Sequence, residues 1–521
     1  MAGSPEVQGR PMGGPSSVSA EDTPRTYPSA WKRAVILVPV MTASTTYELN
    51  ITSVSVALPQ MQGTFSATHD QVSWVVTSFI VGMITMLACA GWLSDKFGRK
   101  RVFVLSTIGF TFVSFMCGIS TTVEEEVLWR FLQGALGAPL MPLSQAICLE
   151  LFPKEKHGIA NAIWGVGVMV GPALGPALGG FIVEYYTWPW IFHIVVPLGA
   201  IAAIGTVVFV KETPFRADRR MDWVGLVALT VAVATFQYIL NRGERLDWFE
   251  STEIVIASAI AAGALYVFVV HSATTAHPFL EPALFRDRNY TVGTTISLVW
   301  GFLLHGNLVL VALMMQELRG IPVLTLGLIM SPRGLGVMVG MWLSNLFLRF
   351  LDSRAVLASG FLCLFVTAYS MSLWDRNVTE WDVIWTGTLQ GVGTGMSSIP
   401  LTLMTFATLD SRYRTEGLTF FNVVLFSGIS AGIAIAINVL TRSASISHAN
   451  LSEHISRLNE IARQFGVSMD TAVGRATLET IVSREAAMIA YLNNFLLIAL
   501  LSVLIVPVVF LFRRSLARAG G

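Results

Sequence analysis

The stretch Gly91-Trp92-Leu93-Ser94-Asp95-Lys96-Phe97-Gly98-Arg99-Lys100-Arg101 lies between two apolar runs, roughly 72–93 and 102–119. Each run is long enough to cross the ~30 Å hydrocarbon core of a bilayer as a helix. The stretch is therefore predicted to be a tight turn at a membrane surface. Five of its residues are charged and four of those are basic, which predicts that the turn faces the cytoplasm.

The composition of the whole chain is that of a membrane protein. Of its 521 residues, 53% are hydrophobic and 13% are charged, whereas soluble domains carry about 25% charged residues. A net charge of +1 provides no overall field that would attract nucleic acid. The four cysteines lie inside apolar runs and are interpreted as core residues, not as disulfides or metal ligands.

Fourteen apolar runs are predicted as membrane-spanning helices. Their even number places both termini on one side, and most Lys and Arg residues then lie in cytoplasmic connections. The acidic run Glu124-Glu125-Glu126 falls on the external side. Residues 1–32 are rich in Pro, Gly and Ser, and they are predicted to form a disordered cytoplasmic tail.

A weak internal repeat divides the chain. Gln133-Gly134 in the fourth span recurs as Gln390-Gly391 in the twelfth, and a Pro-Leu pair follows each of them at nearly the same distance. The repeat predicts an all-α polytopic protein with two parallel six-helix lobes and an inserted helix pair. The predicted units are 33–212 (spans 1–6), 213–275 (spans 7 and 8) and 276–521 (spans 9–14), the last including a periplasmic loop at 442–487.

The opening turn resembles the signature loop G-x-x-x-D-[KR]-x-G-[RK]-[RK] of the major facilitator superfamily. That resemblance implies the major facilitator fold, with the substrate path between the lobes. It also implies a conformational switch formed by Gly91, Asp95, Gly98, Arg99 and Lys100. Gly98 is expected to permit a tight, left-handed turn. The alternative is a solvated loop that only sets topology.

The fifth span carries a regular pattern of small residues. Its glycines recur every four residues and give one smooth helix face, which favours close packing against a neighbour. The pattern also resembles the motif typical of antiporters within the superfamily. The residues of the motif are Gly171, Pro172, Gly175, Pro176, Gly179 and Gly180.

The fourth span contains Arg130 within an R-x-x-Q-G pattern. A charged residue inside the membrane is costly, so it is a candidate functional residue. The pattern resembles the superfamily's fourth-span motif, which implies a role in proton coupling. The alternative places Arg130 near the external surface below Glu126, where its charge reaches water.

The first span resembles the L-D-x-T-I-x-N-V-A-L-P stretch of fourteen-span drug:proton antiporters. The family's acid aligns with Asn50, which cannot titrate, whereas Glu48 lies two residues earlier. Glu48 is therefore predicted to carry the proton, with Arg130 tuning its pKa. The alternative is a Glu at the external rim, hydrogen-bonded to Thr45 or Thr52.

Three further stretches, 188–199, 246–249 and 277–289, resemble those of EmrB-type permeases. The resemblance implies a proton-coupled antiporter that exports amphipathic drugs or toxic compounds across the bacterial inner membrane. The chain would be the permease of a tripartite system, with a periplasmic adaptor (EmrA-like) and a TolC-like outer-membrane channel. No cofactor is expected, because the proton gradient supplies the energy, and no enzymatic constellation is found. The expected substrate path includes Asn50, Gln133, Trp164 and Gln390.

Two alternatives remain open. The chain could instead be an importer, or an exporter of a single metabolite. The loop at 442–487 is also open to two interpretations. Its apolar residues at helical spacing could dock the adaptor, or they could fold back on the permease as a lid. These residues are Ile455, Leu458, Ile461 and Phe465.

Overall fold

The computed structural model describes residues 27–153, 156–212, 222–275, 278–410, 413–453 and 471–513. Within these ranges the chain is helical and contains no strand, which confirms the all-α prediction. Most of the predicted tail, residues 1–26, lies outside the described ranges.

Eight helices form the first part of the bundle. They are α1 (Ala30–Phe65), α2 (His69–Phe97), α3 (Arg99–Gly118), α4 (Val123–Gly137), α5 (Leu140–Glu150), α6 (His157–Tyr185), α7 (Pro189–His193) and α8 (Val195–Phe209). Short breaks separate α4 from α5 and α7 from α8, so each of these pairs crosses the bundle as one interrupted segment.

Nine helices form the rest. They are α9 (Trp223–Arg242), α10 (Thr252–Thr274), α11 (Arg288–Glu317), α12 (Val323–Met330), α13 (Pro332–Phe347), α14 (Ser353–Ser372), α15 (Glu380–Phe406), α16 (Arg414–Glu453) and α17 (Ala472–Val509). The pair α12 and α13 is also interrupted. Taking each interrupted pair as one segment leaves fourteen segments, which is consistent with the predicted fourteen spans. In the described ranges, ten helices are by themselves long and apolar enough to cross a membrane, or eleven if a bent pair within α2 is included.

The bundle has two ends, which we name by their charge. The basic end carries the turn at Gly98 between α2 and α3, with Arg99, Lys100 and Arg101. The opposite end carries the start of α4 with its three glutamates. Successive segments run alternately from one end to the other.

The same helix contacts recur in the two halves. In the N-terminal lobe α1 packs on α6, α2 on α4, α3 on α4, and α3 on α8. In the C-terminal lobe α11 packs on α16, α13 on α15, α14 on α15, and α14 on α17. These are equivalent pairs if spans 1–6 correspond to spans 9–14. The predicted architecture of two six-helix lobes with an inserted pair is therefore confirmed.

Glycine contacts establish the register of the repeat. In the N-terminal lobe, a Cβ added to Gly134 would overlap the carbonyl oxygen of Phe79, and one added to Gly82 would overlap that of Phe131. Gly134 thus contacts the residue three positions before Gly82, and Gly82 contacts the residue three positions before Gly134. Backbones this close exclude any side chain at these two positions.

The C-terminal lobe repeats this arrangement. A Cβ on Gly391 would overlap the carbonyl oxygen of Arg333, and one on Gly336 would overlap that of Thr388. The spacing of three residues is the same, so α13 and α15 cross as α2 and α4 do. By this register Arg333 occupies the position that Phe79 holds in the first lobe.

Gly391→Ala is expected to destabilise the protein by about 1–3 kcal/mol, because the added methyl group must push α13 and α15 apart. The measurement is thermal unfolding of the purified protein in detergent. The matched control is Gly263→Ala in α10, where nothing lies within 4 Å of an added Cβ. Equal unfolding temperatures for the two variants would contradict the close helix crossing.

Within the inserted pair, α9 lies across the seam between the lobes, and α10 packs on α9. The side chain of Gln237 in α9 donates to the Ser427 carbonyl oxygen (3.2 Å) and accepts from the Ser430 hydroxyl (2.7 Å), both in α16. Toward the N-terminal lobe the contact is aromatic, since the rings of Trp74 and Tyr238 are 5.6 Å apart. Helix α9 is thus hydrogen-bonded to the C-terminal lobe and packed against the N-terminal lobe.

The last two helices extend beyond the other segments at the opposite end. At a rise of 1.5 Å per residue, the 40 residues of α16 span roughly 60 Å, about twice a hydrocarbon core. Nε2 of His448 in α16 lies 2.9 Å from Oε1 of Glu479 in α17. Both ends of the predicted 442–487 loop are therefore helical. Residues 454–470, which include the predicted apolar stripe, lie outside the described ranges.

Candidate functional site

Arg130 is the centre of a buried polar cluster in the N-terminal lobe. Its side chain is only 1% exposed. Its Nη1 donates to Oδ1 of Asn50 in α1 (2.8 Å), and its Nε donates to the carbonyl oxygen of Val75 in α2 (3.1 Å). The guanidinium also lies over the Phe79 ring, 4.2 Å from its centroid. One cation on α4 thereby holds α1 and α2 together.

Gln133 extends this cluster to α3. Its Oε1 accepts from Nη1 of Arg130, and its Nε2 donates to the Ser114 hydroxyl (2.7 Å). That hydroxyl in turn donates to the carbonyl oxygen of Phe110 (2.7 Å). Asn50 and Gln133, both assigned to the substrate path from the sequence, are fully buried in this conformation. Their contact with substrate stays a prediction.

The alternative placement of Arg130 at the external surface is not what the structure shows. The side chain points inward to Asn50 and does not reach solvent. Among the described residues no hydrogen bond or ion pair joins Arg130 to Glu48, and the tuning of the Glu48 pKa by Arg130 stays a prediction. Arg130 instead contacts the residue that aligns with the family's acid.

Glu48 lies close to the middle of α1, against α6. Glu48 is half-buried. A Cβ added to Gly171 would lie 2.7 Å from the Cβ of Glu48. In the described part of the chain no hydrogen bond or ion pair of its carboxylate is found. The Thr45 hydroxyl donates to the Gly167 carbonyl oxygen (2.7 Å), and the Thr52 hydroxyl donates within α1. Neither hydroxyl donates to the Glu48 carboxylate, which is the bond that the rim alternative predicted.

The glycine face of α6 packs on α1 as predicted. An added Cβ would lie 2.7 Å from the Thr45 carbonyl oxygen at Gly171 and 3.0 Å from the Ser53 Cα at Gly179. At Gly175 it would overlap the Thr52 hydroxyl. The helix continues through Pro172, Pro176 and Gly180 without an assigned break. The motif thus forms the surface on which α1 and its Glu48 rest.

The signature turn is closed at the basic end by acidic side chains. Gly98 has φ +93°, and a Cβ there would lie 2.6 Å from Oε1 of Glu212, which confirms the need for glycine. Arg99 forms an ion pair with Glu150, and the backbone N–H of Lys100 donates to Oε1 of Glu212 (3.1 Å). These partners all belong to the N-terminal lobe, so the Arg99 ion pair does not join the two lobes in this conformation. The switch roles of these residues, and those of Gly91 and Asp95 in α2, stay predictions.

The remaining substrate-path residues lie in different lobes. Trp164 in α6 donates from Nε1 to the Ser144 hydroxyl (2.9 Å). Oε1 of Gln390 in α15 accepts from Nε of Arg333 (3.2 Å). Each lobe therefore contains an Arg–Gln pair: Arg130 with Gln133, and Arg333 with Gln390. The repeated glutamines are visible in the sequence, whereas no sequence pattern predicted a role for Arg333.

A second carboxylate, missed by the sequence analysis, lies below Arg130. Glu126 is fully buried. Its Oε2 accepts from the Ser120 hydroxyl (2.9 Å), while its Oε1 has no hydrogen-bond partner among the described residues. The spacing of four residues puts Glu126 and Arg130 on one face of α4. That spacing is the signal that separates Glu126 from its exposed neighbours Glu124 and Glu125.

A polytopic helical bundle with two parallel six-helix lobes and buried ionisable side chains at the helix crossings is the arrangement of a membrane transporter. The model of the Major Facilitator Superfamily matches residues 40–433. The chain belongs to this superfamily, and within it to the EmrB-type efflux permeases.

Two relatives show this similarity over most of the chain. The fatty acid resistance protein FarB of Neisseria gonorrhoeae is 32% identical over 487 residues, covering 91% of this chain and 94% of the relative. The multidrug export protein EmrB of Escherichia coli is 32% identical over 422 residues, covering 80% of this chain and 81% of the relative. The chain is accordingly a multi-pass efflux transporter.

Solved structures support the fold. A bacterial homologue of the human lysosomal transporter Spinster, inward-facing and unoccupied, matches 94% of this chain and all of its own with a TM-score of 0.57 at 15% identity. The nucleoside transporter NupG, solved as a point mutant, matches 92% of this chain and all of its own with a TM-score of 0.58 at 13% identity.

Proposed function

We propose that the protein is a proton-coupled antiporter that exports amphipathic drugs or toxic compounds across the bacterial inner membrane, with both termini in the cytoplasm. The observation that carries this proposal is the Glu48 carboxylate, half-buried and without a partner in the described residues. A neighbouring basic group would keep such a carboxylate charged, and none is bonded to it here. Proton binding therefore changes the net charge at the α1–α6 contact by one.

Export would use this change of charge as follows. A proton from the external side neutralises Glu48 and favours the transition that exposes the site to the cytoplasm. Loss of the proton there accompanies uptake of the substrate, and the return transition releases the substrate outside. The relatives are named for multidrug export and fatty acid resistance, which supports amphipathic compounds as substrates.

We expect a pump-deficient host expressing the protein to show raised resistance to several toxic amphiphiles. In proteoliposomes, export of a fluorescent amphiphile should require an imposed pH gradient and should stop when a protonophore collapses it. Resistance to a single metabolite would favour the narrow-range alternative. Increased sensitivity or accumulation would favour an importer.

Cooperation with a periplasmic adaptor and an outer-membrane channel is the second part of the proposal. The extended ends of α16 and α17 support it, because paired helices that stand beyond the membrane offer a docking surface. Their base is tied to the C-terminal lobe. Nη1 of Arg376 lies 2.8 Å from Oε1 of Glu485, and Nη2 of Arg484 donates to the Leu318 carbonyl oxygen (2.8 Å).

Deletion of residues 450–480 separates docking from the lid alternative. If the segment docks an adaptor, the deletion should spare transport in proteoliposomes, where no partner is present. It should abolish resistance in cells and co-purification with the adaptor. An equal loss of transport in proteoliposomes would show that the segment belongs to the permease's own gate.

A further inference from the structure

Arg333 is a cation in the middle of the C-terminal lobe and has no carboxylate partner in the ranges that the structure describes. Its Nη2 donates to the Leu304 carbonyl oxygen of α11 (2.6 Å), and its Nε donates to Gln390 of α15. Both acceptors are neutral. Among the described residues no acidic side chain pairs with Arg333. The acids Glu317 and Glu485 of this lobe bond to Tyr491 and Arg376 instead. A charge at this depth normally has a counter-charge.

The repeat shows how the two lobes differ. In the N-terminal lobe, Arg130 is 1% exposed and is enclosed by Asn50, Gln133, Val75 and the Phe79 ring. In the C-terminal lobe, Arg333 is half-buried. Arg130 is therefore enclosed within its own lobe, whereas Arg333 is partly exposed and its Nη1 makes no hydrogen bond among the described residues.

The surroundings of Arg333 offer space and a second nitrogen. By the register of the repeat, Gly387 of α15 is the counterpart of Arg130. The atom nearest to a Cβ added to Gly387 is the Cβ of Arg333, at 3.8 Å. No side chain therefore covers Arg333 from that position of α15. His305 follows Leu304 on α11, and its buried Nδ1 has no partner in the described part of the chain.

The depth of Arg333 limits what its ligand can be. The residue is ten positions after Val323 and fourteen before Phe347, which is roughly 15 Å and 21 Å from the two ends of the segment. The phosphate of a lipid head group lies outside the hydrocarbon core, more than ~15 Å from the midplane. An anion at Arg333 must therefore enter by the transport path.

We propose that Arg333, together with His305, forms an anion site in the C-terminal lobe that binds the acidic head group of an exported amphiphile. The guanidinium already donates along two directions, and its remaining N–H groups are suited to a carboxylate. The apolar part of the ligand then lies among apolar side chains of the bundle. This inference rests on the proposed export function and deepens it by assigning the residues that select an acidic head group over a neutral or cationic one.

The test compares three probes of equal chain length on the full-length protein in nanodiscs. Equilibrium binding is measured for dodecanoate, for neutral dodecanol and for cationic dodecyltrimethylammonium, with empty nanodiscs subtracted. Wild type is expected to bind dodecanoate about 10–100-fold more tightly than dodecanol, as a charge-assisted bond would give. Arg333→Gln should remove this preference and leave dodecanol binding unchanged, which also shows that the variant is folded.

Three further variants sharpen the result. Arg333→Lys should keep part of the preference, because the charge remains but the planar fork is lost. His305→Gln should weaken dodecanoate binding less than Arg333→Gln does. The control Arg319→Gln removes an exposed arginine at the opposite end, which donates to the Arg376 carbonyl oxygen, and should change nothing.

Two outcomes would overturn the inference. The first is an undiminished preference for dodecanoate in Arg333→Gln. The second is an equal loss for all three probes, which would indicate a general packing role. A protein that exports amphiphiles but keeps its dodecanoate preference in Arg333→Gln refutes this inference alone. A wild type that exports none of them refutes the proposed function.

Discussion

Glu48→Gln is expected to abolish pH-gradient-driven export while leaving substrate binding in place. Glutamine has nearly the shape of glutamate but cannot bind or release a proton, so the cycle loses its driving step. The α1–α6 contact should survive, because it is formed by backbone and glycines around Gly171 and not by the carboxylate. The measurement is substrate efflux from proteoliposomes with an imposed pH gradient, with equilibrium binding measured in parallel.

Two comparisons make this result specific. Glu184→Gln removes an exposed carboxylate from the end of α6 and should export as wild type does. Wild-type export by Glu48→Gln would exclude Glu48 as the proton carrier. Glu126 would then be the next residue to replace, since it is fully buried with one oxygen unpartnered in the described residues.

Local sequence patterns predicted the features that depend on neighbouring residues. The Gly98 turn follows from charge and glycine spacing, and the structure confirms its positive φ. The repeat follows from Gln133-Gly134 and Gln390-Gly391, and the glycines of both pairs lie at the predicted equivalent crossings. In each case a glycine is required by the backbone, either for a positive φ or for the close approach of two helices.

Contacts across the bundle could not be predicted in the same way. Arg130 bonds to a residue 80 positions away, and only the packing of α1 on α4 decides between Asn50 and Glu48 as its partner. Glu126 was read as part of an external acidic run, although a helix turns about 100° per residue and separates it from Glu124 and Glu125. The surroundings of Arg333 could not be predicted either, because only the register of the repeat places this arginine opposite Gly387.

Arg130→Met should be among the most damaging substitutions in this protein. It leaves three buried acceptors, on Asn50, Gln133 and Val75, without their donor. Each unsatisfied group costs about 1–3 kcal/mol, and removal of the buried charge offsets part of the total. We expect a loss of about 3 kcal/mol in stability together with loss of export. Arg130→Lys should be intermediate, because one ammonium group cannot reach all three acceptors.

A double-mutant cycle with Asn50 tests the cause of this loss. Unfolding can be followed with a thiol-reactive dye, because Cys89, Cys117 and Cys148 are buried in the folded protein. If the Arg130–Asn50 bond is the link between α4 and α1, then Asn50→Ala and Arg130→Met should couple by about 1–3 kcal/mol. Strictly additive effects would show that Arg130 stabilises the lobe through Gln133, Val75 and the Phe79 ring and not through Asn50. Coupling in stability, with export lost in both single variants, would establish this bond as part of the working transporter.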